Sequence, residues 1–250
     1  MKVNKIIQGD CLEVMKGMAE NSVDLTFTSP PYNANQRLSS SGKFVPLSPA
    51  EKDQRTKYTE FNDALSPLDY FEWSKKVLNE CLRVTKGQVF WNIQMISPNK
   101  WALAKLMGEF ADQLKEVIIW DKGFGEPAIQ HGVMNSVFEF ILVFDKSDAI
   151  HRSFQNAEFT RGTFNNIIRI GKNSGSKLIK NTACFPMDIP LTFIENFSKE
   201  GETIFDPMCG SGATCSAAKQ LKRNYLGIEL TPSYAEVAQE RLKVQSNPLF

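Results

Sequence analysis

Two short stretches of the chain carry residue types whose spacing suits chemistry on a base and on a small ligand. The first is Ser29-Pro30-Pro31-Tyr32. Two prolines stiffen a turn, which fixes the Ser29 hydroxyl and the Pro30 carbonyl as two acceptors in a rigid frame. The exocyclic amine of a nucleobase is a poor nucleophile, because its lone pair is delocalised into the ring. Two acceptors gripping its hydrogens draw the nitrogen towards tetrahedral geometry and free that lone pair. Tyr32 could stack on the face of a base taken out of a duplex. Alone, the four residues also fit a plain turn with an exposed tyrosine.

The second stretch is Asp206-Pro207-Met208-Cys209-Gly210-Ser211-Gly212. Gly210 and Gly212 let the backbone approach a ligand closely, and a helix beginning at Ala213 offers free N–H groups. Glu229 follows about 20 residues after the glycines, where an acid commonly holds ribose hydroxyls. The loop lacks Gly-Lys-Ser/Thr, so it is not a phosphate-gripping loop. Asp206 at its start would repel phosphates and suits a positive amino group. A nucleoside with an amino-acid tail fits these features. A tight strand–helix turn, with glycines used for packing, fits the loop as well.

Positioning these residues falls to a βα alternation. Lys5 to Ile7 reads as a strand ending at Gly9-Asp10, and Leu12 to Met18 as a short helix. Ser22 to Thr28 is a β-rich strand stopped by the double proline. Asn33 to Asn62 is polar and is expected to be a structureless, mobile loop. Tyr70, Phe71, Ser74, Val77, Leu78, Cys81 and Leu82 recur at the helical period. Gln88–Ile93, Val117–Trp120 and Val137–Phe144 are strands, the last two paired. Ser97-Pro98 opens a helix to about Phe110, and Ile189 to Phe197 is another helix. A compact unit closes the pattern: strand Thr203–Phe205, the loop, helix Ala213–Leu221, strand Asn224–Ile228, and a helix from Pro232 to about Val244 capped by Thr231. Such alternation implies a single α/β domain over residues 1–250, with a mainly parallel sheet and helices on both faces. Ligands in these sheets bind at the carboxyl ends of the strands. Both chemical stretches directly follow strands, so one shared cleft is expected.

The 250 residues carry 29 Lys+Arg against 28 Asp+Glu, a net charge of +1. That excludes binding of a polyanion by bulk charge alone, though not a local basic cleft. Five scattered cysteines without a CxxC pair read as reduced thiols of a cytosolic protein. Two histidines, His131 and His151, give little support for a metal site. The first residues lack the apolar run of a signal peptide, and no apolar stretch reaches the ~18 residues of a membrane span.

Taken together, the two stretches resemble those of the DNA amino-methyltransferases that use S-adenosylmethionine. The order, SPPY first and DPxxGSG late, looks like the β-type permutation of that family, and the resemblance covers nearly the whole chain. Gly9-Asp10-Cys11 resembles the segment contacting the cofactor's adenine. Ser29 to Tyr32 resembles the catalytic element, Glu80 to Gln88 the helix–strand element after it, and Trp120–Lys122 with Phe138–Phe144 the later strands of the target-base half. Ala183-Cys184-Phe185-Pro186 resembles the element before the cofactor loop, and Gly227-Ile228-Glu229 the ribose-binding acid. Two departures stand out: Asn181-Thr182 replaces a frequent His-Pro, and Met208 replaces a frequent phenylalanine.

The resemblance implies a Rossmann-like methyltransferase fold, with a mainly parallel twisted sheet, one antiparallel strand and a short target-recognition insert at residues 147–180. It implies S-adenosylmethionine as cofactor, bound by Asp10, Cys11, Phe185, Asp206, Pro207, Met208, Gly210, Ser211, Gly212 and Glu229. Ser29, Pro30, Pro31 and Tyr32 would be catalytic, and no metal is needed. Serine at the first tetrad position goes mainly with cytosine N4 in the family, so N4-methylcytosine is expected, with adenine N6 as the alternative. The implied partners are double-stranded DNA and, by analogy, a second copy of the chain and a cognate restriction endonuclease, in a prokaryotic cytoplasm or from a phage.

DNA contacts are expected from two basic stretches. Ile150–Lys180 holds Arg152, Arg161, Arg169, Lys172, Lys177 and Lys180 against Glu158. Phe154, Phe159 and Phe164 interleave them, placed either to wedge or stack or to fill a core. The Asn33–Asn62 loop adds Arg37, Lys43 and Arg55, and is placed to close over a flipped base. Rival readings are a methyltransferase of RNA, protein or a small molecule, and a non-catalytic DNA-binding module. Glutamine-modifying enzymes carry a similar turn, but with asparagine first and the cofactor loop upstream, so the order here argues against them.

Overall fold

The computed structural model describes residues 2–39, 41, 43–46, 48, 60–125, 131–171 and 185–244. Among them, eight strands form one sheet: β1 Lys5–Gln8, β2 Leu25–Thr28, β5 Val89–Ile93, β6 Leu114–Asp121, β7 Phe138–Phe144, β8 Ile167–Arg169, β9 Thr203–Asp206 and β10 Asn224–Glu229. Their order is β1-β10-β9-β2-β5-β7-β6-β8. Every pair is parallel except those made by β7, which runs antiparallel to both β5 and β6. The expected single antiparallel strand is therefore β7. β2, β5 and β9 are buried at every residue, as near-continuous apolar runs must be when helices cover both faces.

Alternating side chains on each strand feed two cores. Val89, Trp91 and Ile93 pack with α1 (Cys11–Lys16), α2 (Pro67–Val84) and α3 (Lys100–Glu109). Leu25, Phe27 and Phe90 pack with α4 (Asp188–Phe197), α5 (Ala213–Gln220) and α6 (Pro232–Val244). The face expected for α2, Tyr70 through Leu82, is buried at all seven positions. Its start is fixed by Pro67 and by the Ser66 hydroxyl, which accepts from the Asp69 N–H at 3.1 Å. No helix among the described residues is long and apolar enough to cross a membrane.

The chain departs from its sequence reading at three elements. α3 begins at Lys100 rather than at Ser97-Pro98, because Asn99 ends a turn there and its side chain is used elsewhere. The stretch 33–62 is not structureless where described: β3 (Gln36–Leu38) and β4 (Phe44–Pro46) form an antiparallel hairpin. Its flanks are tied down, with Asn33 Nδ2 donating to the Leu65 carbonyl at 2.9 Å and Oδ1 accepting from the Leu65 N–H at 2.8 Å. Asp63 accepts from the Ala34 N–H at 3.1 Å. In the 147–180 stretch, β8 extends the sheet beside β6.

The βα units run one way from β9 to β10, with α5 on one face, and the other way from β2 to β5, with α2 on the opposite face. The chain thus reverses between β9 and β2, and such a switch point opens a crevice at the carboxyl strand ends. The registers Gln8↔Glu229, Gly227↔Asp206 and Thr28↔Trp91 bring the ends of β1, β10, β9, β2 and β5 to that edge.

Candidate active site at the strand ends

A cavity of ≈ 840 Å³ lies at this edge. Its wall takes Asp10 and Cys11 from beyond β1, Ser29 and Pro31 from beyond β2, Pro207 to Ser211 from the loop after β9, and Glu229 from β10. Phe185 joins them, held edge-on to Phe27 at 5.6 Å. Phe61, Trp73 and Tyr234 complete the wall and were not singled out by the sequence. Phe61 and Trp73 pack ring against ring at 4.8 Å. Pro30, Tyr32, Asp206 and Gly212 are not part of the wall.

The loop after β9 owes its shape to two left-handed glycines, Gly210 at φ +51° and Gly212 at φ +78°. Gly212 caps α5, and a Cβ there would meet the Ala238 Cβ at 2.9 Å. Glu229 is 6% exposed and fixed at both oxygens, by the Gly210 N–H and the Thr231 N–H, each at 2.8 Å. Burial pushes its carboxyl above the usual range. Asp10 caps α1, its Oδ1 accepting from the N–H groups of Leu12 at 2.8 Å and Glu13 at 3.1 Å. Burial, with Asp10 adding, raises the Cys11 thiol to about 12, which keeps it protonated and non-nucleophilic.

Asp206 lies beneath the loop. It is 2% exposed, and its Oδ1 accepts from the Thr28 hydroxyl at 2.8 Å and the Met208 N–H at 3.1 Å. Burial raises its pKa to about 6, against those hydrogen bonds. It therefore braces β9 against β2 and holds the loop, rather than facing the cavity as its sequence position suggested.

The tetrad is anchored from below. Tyr70 donates to the Pro31 carbonyl at 2.6 Å, and Asn99 to the Tyr32 carbonyl at 3.0 Å. The Tyr32 hydroxyl lies 3.0 Å from the Ser29 hydroxyl and donates to Glu139 at 2.8 Å. Asn92 Nδ2 donates to the Tyr32 hydroxyl at 2.9 Å and to Glu139 at 3.0 Å. Lys122 Nζ stands 3.3 Å from the other Glu139 oxygen. Sequence reasoning missed Asn92, Lys122 and Glu139. The available signal was a polar or charged residue inside an apolar strand, as in Val89-Phe90-Trp91-Asn92-Ile93 and Phe138-Glu139-Phe140.

The basic candidates divide. Lys43, Arg152 and Arg161 are exposed. Arg169 is exposed too, with Nε 3.2 Å from Asp121. Arg55, Lys172 and Lys177 lie outside the described residues, as does the Arg37 side chain; so do Asn181 and Thr182. Phe154, Phe159 and Phe164 are not free to wedge into a duplex. They pack on α4, with Phe154 at 5.1 Å and Phe159 at 5.4 Å from Phe197, and Phe164 at 5.7 Å from Phe193.

A family model described as a DNA methylase matches residues 23–240. Among curated proteins, the Type II methyltransferase M.HinfI of Haemophilus influenzae is 26% identical over 98% of this chain and 70% of its own length. The putative methylase YubD of Escherichia coli K12 is 26% identical over 96% of this chain and 90% of its own. The Type II beta methyltransferase M.BslI of Bacillus sp. (strain NEB-606) is 27% identical over 95% of this chain, which spans only 27% of it. Among solved structures, the cytosine-N4-specific PvuII DNA methyltransferase superposes with a TM-score of 0.71 at 17% identity, covering 96% of this chain and 90% of that one. A DNA modification methylase of Thermus thermophilus in complex with S-adenosyl-L-methionine gives 0.66 at 22% identity, covering 99% and 96%. These two likenesses are of fold.

Proposed function

Because the chain belongs to the DNA methylase family that joins N6 and N4 methyltransferases, we propose that it methylates the exocyclic N4 amine of a cytosine flipped out of double-stranded DNA. The observation that carries this reading is that Ser29 and Pro31 share one cavity wall with Glu229 and the loop after β9.

The wall suits S-adenosylmethionine. A carboxylate locked by two N–H groups, a second acid at Asp10 and apolar surfaces from Phe185, Trp73 and Met208 match a nucleoside with a charged tail. When bound, that cofactor supplies a methyl group on a positively charged sulfur. Glu229 accepts from the ribose hydroxyls, and the second oxygen of Asp10 accepts from the adenine edge. Cys11, Pro207, Gly210 and Ser211 shape the remaining wall, Gly212 holds the loop, and the Asp206 charge beneath it attracts the cationic tail. Ser29 and the Pro30 carbonyl hold the target amine. The N–C bond forms as the carbon–sulfur bond breaks, its electron pair staying on sulfur, and the methylated amine gives one proton to water. Proximity and exclusion of water supply most of the acceleration.

Ser29 at the head of the tetrad favours cytosine over adenine. Exposed Lys43, Arg152, Arg161 and Arg169 are the proposed phosphate contacts, joined by Arg37, Arg55, Lys172 and Lys177. The prokaryotic cytoplasm, a second copy of the chain and a cognate restriction endonuclease complete the proposed setting.

The test combines DNA, labelled S-adenosylmethionine and nucleoside mass spectrometry of the digest. N4-methylcytosine is the expected product, and N6-methyladenine would reassign the base. Ser29→Ala should bind cofactor as the parent does but turn over about 10²-fold slower, the scale of losing one oriented polar group. Parental turnover by that variant would sink the role given to Ser29.

A further inference from the structure

Resting on the reading above, we propose that Glu139 sets the direction of a buried hydrogen-bond chain that turns a lone pair of Ser29 towards the cavity, with Tyr32, Asn92 and Lys122 as its positioning partners.

The argument is an accounting of protons. Glu139 lies on β7 and Lys122 just past the end of β6; their side chains are 8% and 1% exposed, with Nζ 3.3 Å from Oε1. A carboxylate facing a lysine accepts hydrogen bonds and gives none. The Tyr32 hydroxyl owns one proton and donates it to Glu139 Oε2 at 2.8 Å. The 3.0 Å contact between Ser29 and Tyr32 is then a hydrogen bond only when Ser29 is the donor. The single proton of Ser29 is thereby held inward, and its lone pairs are left for what lies in the cavity it lines. An exocyclic amine offers hydrogens, so it meets an acceptor. Were the chain to run the other way, the Ser29 proton would face those hydrogens and repel them.

Asn92 fixes the direction from the side. Its Nδ2 donates to Tyr32 at 2.9 Å and to Glu139 at 3.0 Å, and lies 3.4 Å from the Ser29 hydroxyl. Its Oδ1 is buried without a partner among the described residues. The amide nonetheless cannot turn over, because Oδ1 would then face the carboxylate. The three strands β5, β6 and β7 thus hold a polarity that the tetrad alone does not have, since a serine hydroxyl rotates freely.

Tyr32→Phe tests this directly, because it keeps the ring and removes only the hydroxyl. The expected result is a kcat at least about tenfold lower, with the KM for DNA, the calorimetric Kd for S-adenosylmethionine and the Tm near the parent's. The double variant Glu139→Gln with Lys122→Met removes both charges together, so neither is left buried alone. It should show the same split between kcat and KM. Parental kcat in either variant overturns the proposal. So does a loss of kcat that only follows a loss of folded protein or of cofactor affinity in both. If the unaltered chain transfers no methyl group to DNA, the functional reading fails first; if it does and Tyr32→Phe is silent, this inference alone fails.

Discussion

At Asp206 an acid 2% exposed titrates near pH 6 in the folded chain, against 3.8 as its ordinary value, with burial as the leading cause. The folded state therefore holds this proton more tightly than the unfolded one. Stability falls as pH rises from about 4 to about 6, and the cost, on the order of 3 kcal/mol, persists above that window. Asp206→Asn should accordingly melt higher than the parent at pH 7, with the two melting curves converging near pH 4. The same group makes cofactor binding pH-dependent in the opposite sense. A cationic ligand favours the ionised acid, so calorimetric affinity for S-adenosylmethionine should fall as pH drops from 7 to 5. In Asp206→Asn that dependence should disappear and the affinity at pH 7 should drop about tenfold or more. A carboxyl kept at a cost in the folded chain and useful only beside a positive charge is what a binding site stores.

Strands and loops decide how well such residues are held. Gly227 on β10 leaves room where a Cβ would come within 2.6 Å of Ile6 Cδ1 and 2.9 Å of the Cys209 and Cys215 sulfurs. Gly227→Ala should thus cost about 1–3 kcal/mol in urea unfolding, the usual scale of overpacking. It should also weaken cofactor binding, because Cys209 belongs to the loop that lines the cavity. The residues legible in the sequence were those whose chemistry needs a fixed local spacing. Ser29 to Tyr32 and Asp206 to Gly212 are each continuous turns, and Glu229 lies one βα unit further on. Asn92, Lys122 and Glu139 come together only across three neighbouring strands, so no spacing announces them. The hairpin of β3 and β4 was missed because its strands are three residues long within a polar stretch, although Ser41-Gly42 was a turn signal. The phenylalanines of the 147–180 stretch were ambiguous for another reason: with no clear period, only the packing on Phe193 and Phe197 shows which way they face.

Over the whole molecule, the net charge of +1 is an average of unlike regions. Acids line or underlie the cavity at Asp10, Asp206 and Glu229, while Arg152, Arg161 and Arg169 stand in solvent on and before β8. Affinity for DNA should be modest and strongly salt-dependent. Arg152→Glu and Arg161→Glu should each weaken binding of all sequences alike and flatten the plot of log K against log salt by roughly one unit of slope. An unchanged slope would remove those arginines from the DNA face. The sheet's closure has a consequence for how the protein is made. β1 brings Asp10 to the cavity only by pairing with β10, and Asn4 and Tyr225, joined at that seam, are 221 positions apart. At about 5–20 residues per second, a ribosome completes the seam roughly 10–40 s after it begins it. During that interval the nascent chain already carries its amine-holding turn, but no pocket for the methyl donor. Unfinished copies are therefore silent on the genome, and methylation starts only when translation has delivered the strand that the first one was waiting for.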